Sequence, residues 1–267
     1  MDLTNLKEVS VHLPFDAITN ARDLAGIEAE QGKVIRAEKL IRSAKLSKAS
    51  ELDRQTLSNM HVTDIVDLRT EWERTTEPDR HIEGAKHIPN PVFDEHDLKK
   101  AAGSNEKLVE MAALDSRTLM NATYSNMVTS PDAIHAWKKF FQVLKDAEGG
   151  VLWHCTQGKD RTGMAAALIE HALGVDEALI HDDYLQTNLY MDTPQAHRER
   201  IMASKLFSHD KPIADEDIST YLYAHDSYYD AMNKAIEENY GSWDAYLREA
   251  IGLEDADFDY LKEKYLV

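Results

Sequence analysis

The chain has 267 residues, 43% hydrophobic and 29% charged, enough to bury a substantial core as one α/β domain with insertions or as two small domains. Thirty basic against 48 acidic residues leave a formal charge of −18, which repels nucleic acid and anionic membranes at long range and requires an anionic substrate to be attracted locally. No apolar stretch approaches the roughly 20 residues that span a bilayer, and Met1 to Ser10 lacks a basic flank followed by an apolar core, so the chain reads as soluble, with no transmembrane segment.

In chain order, a loop-like start carries a basic residue at every third position, Lys33, Arg36, Lys39, Arg42, Lys45 and Lys48. That spacing fits a solvated face or a docking face for an anionic substrate or headgroup. Val62 to Leu68 (VTDIVDL) has the β-branched content of a buried strand, and His87 to Phe93 is a second short apolar run broken by Pro89 and Pro91. Asp94 to Met127, rich in Ala, Leu, Met, Lys and Glu, reads as two short helices, so residues 94–130 form a helical insertion that either closes over a site as a lid or completes the packing.

Ser130 followed by Pro131 is a helix start, and Ile134, Trp137, Phe140, Phe141 and Leu144 keep one apolar face until Gly149 and Gly150 stop it. Val151 to Trp153 is a short apolar strand, and Thr162 to Leu173 an Ala-rich helix closed by Gly174. Residues 176–267 read as mainly helical, with Asp176 capping a helix through Tyr184 and further helices at Tyr228–Glu238 and Trp243–Ala250. The acidic segment from Glu254 reads as surface. No repeat, low-complexity tract or linker marks a boundary, so 1–267 is taken as a single domain, an α/β sheet flanked by helices.

The chemistry lies in HCTQGKDRTG, His154 to Gly163, between the short strand and the Ala-rich helix. A loop ending at a helix N-terminus turns several backbone N–H groups and the positive end of the helix dipole towards one point, which makes an anion site from Thr156, Gln157, Gly158, Lys159, Asp160 and Arg161. Gly158 and Gly163 permit unusual backbone angles and close approach. Cys155 opens the loop beneath that point, where the same amides favour thiolate over thiol and make it a nucleophile. Arg161, six positions on, offers a planar fork for two phosphoryl oxygens. Asp160 is the candidate acid for the departing oxygen, although the same carboxylate could hold a neighbouring amide or Lys159. Thr162 can offer its hydroxyl to the sulfur, His154 can orient the loop, and Lys159 adds a mobile positive charge at the mouth.

This string resembles the Cys-x5-Arg phosphate loop of the protein tyrosine phosphatase superfamily. Its GKDRTG ending is similar to the atypical bacterial and fungal group that acts on phosphotyrosine, often phosphoserine or phosphothreonine, and phosphoinositides. Asn20 to Gly26 (NARDLAG), Lys33 to Ser47 and Val66 to Glu73 (VDLRTEWE) resemble further segments of that group, the second of them a basic strand containing Arg-Ser. The resemblance implies a central four- or five-stranded, mostly parallel sheet flanked by helices, no metal or other cofactor, and inorganic phosphate or a similar anion held in the loop. It also implies that Asp160 is the general acid and that Lys159 is linked to tolerance of phosphoinositide headgroups. No Trp-Pro-Asp loop is present, and Gln157 stands where many relatives have Ala, a change that narrows the mouth.

Cys155 is the only cysteine, which leaves no intrachain disulfide and suits a reducing compartment. Cytoplasmic is therefore the expected location, and a secreted protein without disulfides would read the same. Twelve histidines fall in no metal-ligand spacing. Asn20, Arg22, Asp23, Asp67 and Arg69 are expected in a polar network behind the loop rather than on substrate, and Tyr221, Tyr223, Tyr228 and Tyr229 in packing. The expected function is phosphomonoester hydrolysis through a cysteinyl-phosphate, on phosphorylated protein first and phosphoinositide second. The alternative is a catalytically silent module that holds phosphorylated partners, and it requires a lost nucleophile, clamp or acid.

Overall fold

Gly150–His154, the central strand of the sheet, has every residue buried. The computed structural model describes residues 6–93, 115–191, 195 and 215–267. Its strands are Val11–His12 (β1), Arg22–Asp23 (β2), Leu40–Ser43 (β3), Val62–Asp67 (β4), Lys86–Pro89 (β5) and Gly150–His154 (β6), in the spatial order β1-β2-β3-β6-β4-β5. β3, β6, β4 and β5 run parallel, while β1 and β2 add an antiparallel edge.

Alternation along the strands sorts their side chains into two cores. Leu40, Val66, Val151 and Trp153 face the larger cluster, and Ile41, Ile65 and Leu152 face the smaller. The larger core is covered by Ser116–Thr129 (α3), Pro131–Asp146 (α4), Asp160–Leu173 (α5), Glu177–Gln186 (α6) and Asp226–Tyr240 (α8). Glu51–Asn59 (α1) covers the other face through Leu57, Glu71–Thr76 (α2) follows β4, and Asp215–Leu222 (α7) precedes α8. After a short helical segment at Trp243–Ile251, Asp255–Tyr265 (α9) ends the chain's regular structure. Among the described residues, no helix is long and apolar enough to cross a membrane.

The anticipated helix ends appear. Ser130 caps α4 by accepting from the Ala133 amide, with Pro131 as its first residue. Gly174 closes α5 at φ 76°, and Asp176 caps α6 by accepting from the Ala178 amide. Gly149 and Gly150 are required by space, since a Cβ on Gly149 would lie 2.2 Å from the carbonyl oxygen of His61. Part of the 94–130 insertion, including the first of its two expected helices, lies outside the described residues. The second is α3, which is packed in place: Tyr124, Met127 and Val128 are buried, and Ser125 Oγ donates to the Ala231 carbonyl at 3.2 Å.

Three expectations are corrected. The stretch before Val62 is not loop-like, for it holds three strands and α1, whose capping box joins Ser50 and Asp53. The basic run does not lie on one exposed face. Arg42 sits on a strand, where neighbours alternate between faces, and is fully buried, whereas Lys33, Arg36 and Lys48 are exposed. The segment from Glu254 is not all surface, because Phe258, Leu261 and Tyr265 line the inner face of α9 and Tyr265 Oη donates to the Leu144 carbonyl at 2.7 Å. Spaced three and four apart among charges, those apolar residues are diluted in the composition but meet on one face of the helix.

Candidate active site

β3, β6 and β4 end level, with Ser43 and Asp67 both opposite His154. The chain leaves β6 at Cys155, turns through residues 156–159 and enters α5 at Asp160, so the loop lies across the carboxyl ends of the parallel strands at a helix N-terminus.

The loop's carbonyls are held from behind. Asn20 Nδ2 donates to the carbonyls of Gln157 at 3.1 Å and Gly158 at 2.9 Å. Arg42 NH2 donates to Gly158 O at 3.3 Å, and the Lys45 amide to Thr156 O at 3.4 Å. In a trans peptide the N–H points opposite to the preceding C=O. Fixing the carbonyls of 156, 157 and 158 against this scaffold therefore turns the amides of 157, 158 and 159 away from it. Gly158 is required twice over: its φ is +70°, and a Cβ there would come within 2.7 Å of the Ser43 and Ala44 backbone.

The scaffold is a buried charge cluster. Arg42 NH1 donates to Asp183 Oδ2 at 2.5 Å, Arg22 NH2 to the Asp183 carbonyl at 3.2 Å, and Ser10 Oγ to Asp183 Oδ1 at 2.5 Å. Burial pushes the Arg22 guanidinium down to about 10, with the neighbouring Arg42 charge adding to the effect. Burial alone would raise Asp183, but the two arginines hold it below the ordinary carboxylate range. Arg22 and Asn20 thus take the places expected of them behind the loop. Asp23 does not touch the loop, because its carboxylate accepts from the Ala25 and Glu38 amides in a turn.

A second network lies under His154. Arg69 donates to Asp67 through Nε at 2.9 Å and NH2 at 2.6 Å, and NH2 also meets Asp79 at 2.9 Å. His154 Nε2 lies 3.0 Å from Asp79 Oδ2, and its Nδ1 is 3.2 Å from the Cys155 carbonyl. Burial would lower His154, yet Asp79 outweighs it and raises the imidazole above its usual value. Asp67, Asp79 and His154 have the spacing of a metal triad, but Arg69 already bridges both carboxylates.

Cys155 is 2% exposed. Its charge when ionised is near enough to help raise Arg161. Arg161 makes a two-pronged pair with Glu73, NH1 to Oε2 at 2.6 Å and NH2 to Oε1 at 2.8 Å, and NH1 also reaches the Leu68 carbonyl at 3.4 Å. This engages the end edge of the guanidinium and leaves the Nε side edge to an incoming oxyanion. Burial disfavours the charged guanidinium, but the Glu73 bonds overcome this and raise it. Burial likewise opposes the Glu73 carboxylate, yet Arg161, Thr156 and the Thr70 amide bring it down to about 2. Thr156 donates its hydroxyl to Glu73 Oε1.

A cleft of about 440 Å³ opens beside this pair, lined by Thr70, Trp72, Phe93, Met120 and Thr123 with Glu73, Asp160 and Arg161. Asp160 Oδ1 accepts from Tyr124 Oη at 2.6 Å, and Tyr124 Oη accepts from Tyr184 Oη at 2.9 Å. Gln157 is half-buried. Tyr228 and Tyr229 are buried in packing, as expected.

Two local expectations fail. Lys159 is not a mobile charge at the mouth, for its buried Nζ donates to the carbonyls of Tyr221 at 2.7 Å and Tyr223 at 3.2 Å at the C-terminal end of α7. A burial-compatible partner outcompetes solvent for a lysine whose stem already lies in the core. The Thr162 hydroxyl is buried and makes no hydrogen bond among the described residues, to Cys155 or otherwise. Sequence reasoning also passed over Glu73, Tyr124, Tyr184 and Asp183. Only Glu73 carried a local signal, the Thr70-x-x-Glu73 capping box that starts α2.

A strand, a cysteine-led loop with outward-tied carbonyls and a helix carrying an arginine in its first turn define a cysteine-dependent phosphatase fold, with Cys155 and Arg161 in Cys-x5-Arg spacing. The chain belongs to the tyrosine phosphatase family, whose model it matches over residues 13–267. A provisionally named tyrosine-protein phosphatase of Cupriavidus necator is 30% identical over 95% of this chain and 88% of its own length. The triple specificity protein phosphatase PtpB of Mycobacterium tuberculosis is 30% identical over 86% of this chain and 91% of its own. A tyrosine-protein phosphatase of Nostoc commune is 28% identical over 79% and 68% respectively.

Proposed function

We propose that this chain, acting as one domain over residues 1–267, hydrolyses phosphomonoesters in two steps, with phosphotyrosine in proteins as the leading substrate. The Cys155 thiolate attacks phosphorus as the P–O bond to the leaving group breaks, and Asp160 gives that oxygen a proton. Water then attacks the phosphocysteine, releasing inorganic phosphate and restoring the thiolate. The amides of residues 156–161 and the free edge of Arg161 hold the three phosphoryl oxygens as charge develops on them, while His154 supports the loop.

The observation that carries this reading is the loop itself, with its carbonyls tied to Asn20, Arg42 and Lys45 and its arginine fixed by Glu73. The substrate class rests on the cleft, where Trp72, Phe93 and Met120 offer apolar surface to an aromatic ring. Phosphoserine, phosphothreonine and phosphoinositides rank second, a breadth in keeping with the triple specificity in the name of the mycobacterial relative. Engagement of Lys159 by carbonyl oxygens favours an aryl monoester over a headgroup bearing a second phosphate. The silent-module reading finds no support, because cysteine, arginine and acid are all present. The test is phosphate release from phosphotyrosine, phosphoserine and phosphothreonine peptides and phosphoinositides, beside Cys155→Ser. Fastest release from phosphotyrosine, abolished by the substitution, is expected; faster release from phosphoinositides would overturn the substrate assignment.

A further inference from the structure

The carboxyl of Asp160 is not free to rotate. Tyr184 donates to Tyr124 at 2.9 Å and Tyr124 donates to Asp160 Oδ1 at 2.6 Å, a one-way chain of two hydroxyls brought from α6 and α3 to the first residue of α5. Lys159 Nζ, 3.5 Å away, addresses the same oxygen. Both rings are buried, Tyr124 stacks on Tyr228 at a centroid distance of 5.2 Å, and Tyr184 meets Tyr124 edge-on at 6.1 Å, so the hydroxyls are held by packing as well as by each other.

A carboxyl has two oxygens. With Oδ1 taken by donors, Oδ2 is the oxygen left for the cleft that Asp160 lines beside Arg161. We infer that Tyr124, backed by Tyr184, is a positioning residue for the acid: it reserves Oδ1 as an acceptor, so the transferable proton resides on Oδ2, and it holds the carboxylate that remains once that proton has gone to the leaving oxygen. This rests on the proposed reading of Asp160 as the acid.

Burial first, and then the Asp160 charge, push both phenols well above their ordinary range, so they stay protonated and can only donate towards the carboxyl. The other groups facing Asp160 are Lys159 and Arg161 with its partner Glu73, Cys155 at the loop's start and Tyr228 from α8. A donor to a carboxylate favours its ionised form. Removing the Tyr124 hydroxyl therefore takes away a donor that favours the carboxylate, and the basic limb of the kcat profile moves up.

The experiment compares wild type, Tyr124→Phe, Tyr184→Phe and Asp160→Asn by kcat against pH on an alkyl phosphate and an activated aryl phosphate. Phenylalanine keeps both ring contacts. For Tyr124→Phe the expected result on the alkyl ester is a basic limb raised by about one pH unit and kcat lowered about tenfold, less than the 10²–10⁴-fold expected on removing the acid itself. On the activated ester both changes are small, since that leaving group needs little protonation. Tyr184→Phe moves the limb the same way by less. A basic limb in Tyr124→Phe that coincides with wild type, while Asp160→Asn loses the alkyl ester selectively, overturns the positioning inference and leaves the acid reading standing. Undiminished alkyl turnover by Asp160→Asn removes the acid reading and this inference with it. If Tyr124→Phe does not fold, the Tyr184→Phe profile decides by the same criterion.

Discussion

Glu73→Gln isolates the clamp on the phosphate-gripping arginine. The substitution keeps the shape of the side chain but replaces a carboxylate that accepts from both terminal nitrogens of Arg161 with an amide, whose NH2 meets a guanidinium donor to donor. The carboxyl falls from an ordinary 4.5 to about 2 in the folded chain. At about 1.4 kcal/mol per unit this difference corresponds to roughly 3 kcal/mol at neutral pH. The two side chains are 14% and 21% exposed, so solvent screening brings the expectation to about 2 kcal/mol. For a chain of this size that is a fall in Tm of roughly 4 to 8 °C. Activity should suffer more, because displacement of the guanidinium by about 1 Å costs on the order of 10²-fold in kcat/KM. The assay pairs a thermal melt with kcat/KM on an aryl phosphate below the melt. If Glu73 only caps α2, stability drops and kcat/KM stays within about threefold of wild type, and that result would refute the clamp.

Two further outcomes follow from the same geometry. Gly158→Ala puts a methyl into the Ser43–Ala44 backbone at a left-handed φ, so it should cost a few kcal/mol and abolish phosphate binding by calorimetry; a folded variant with wild-type affinity would show that the loop does not lie against β3 as described. Glu73 and Asp79 both ionise at about 2 when folded, against ordinary values of 4.5 and 3.8; for Asp79 burial is opposed chiefly by His154 and then Arg69. Folded values below the unfolded ones mean stability is complete above about pH 5 and is lost as pH falls from about 4.5 through 2. Urea midpoints across that window should fall, and a flat profile down to pH 2 would contradict the assigned pairs.

The loop and the helices on either side of it were legible because their signals are local. Ser130-Pro131, Gly174 and Asp176 mark helix ends by what neighbouring backbone atoms need, and the separation of Cys155 from Arg161 follows from one loop and one helical turn. Asn20 and Arg22 were expected behind the loop and lie there, but most of what holds it was not legible, because it is assembled across the chain. Asp183 meets Arg42 at a separation of 141 residues, Glu73 meets Arg161 at 88 and Tyr124 meets Asp160 at 36. Arg42 counted as one more surface cation until β3 turned it inward, and β1 and β2, two residues each, are too short to show a period. Lys159 misled for a related reason: its partners are backbone carbonyls of Tyr221 and Tyr223, which carry no side-chain signature at all.

The central claim is that the sulfur of Cys155 takes the phosphoryl group. Rapid acid quench of the chain during turnover of a ³²P-labelled aryl phosphate, followed by peptide mapping, tests it directly. The label should appear on the peptide carrying Cys155, at no more than one phosphoryl per chain, and vanish in Cys155→Ser. Undiminished turnover by Cys155→Ser, or label on any other residue, would contradict it.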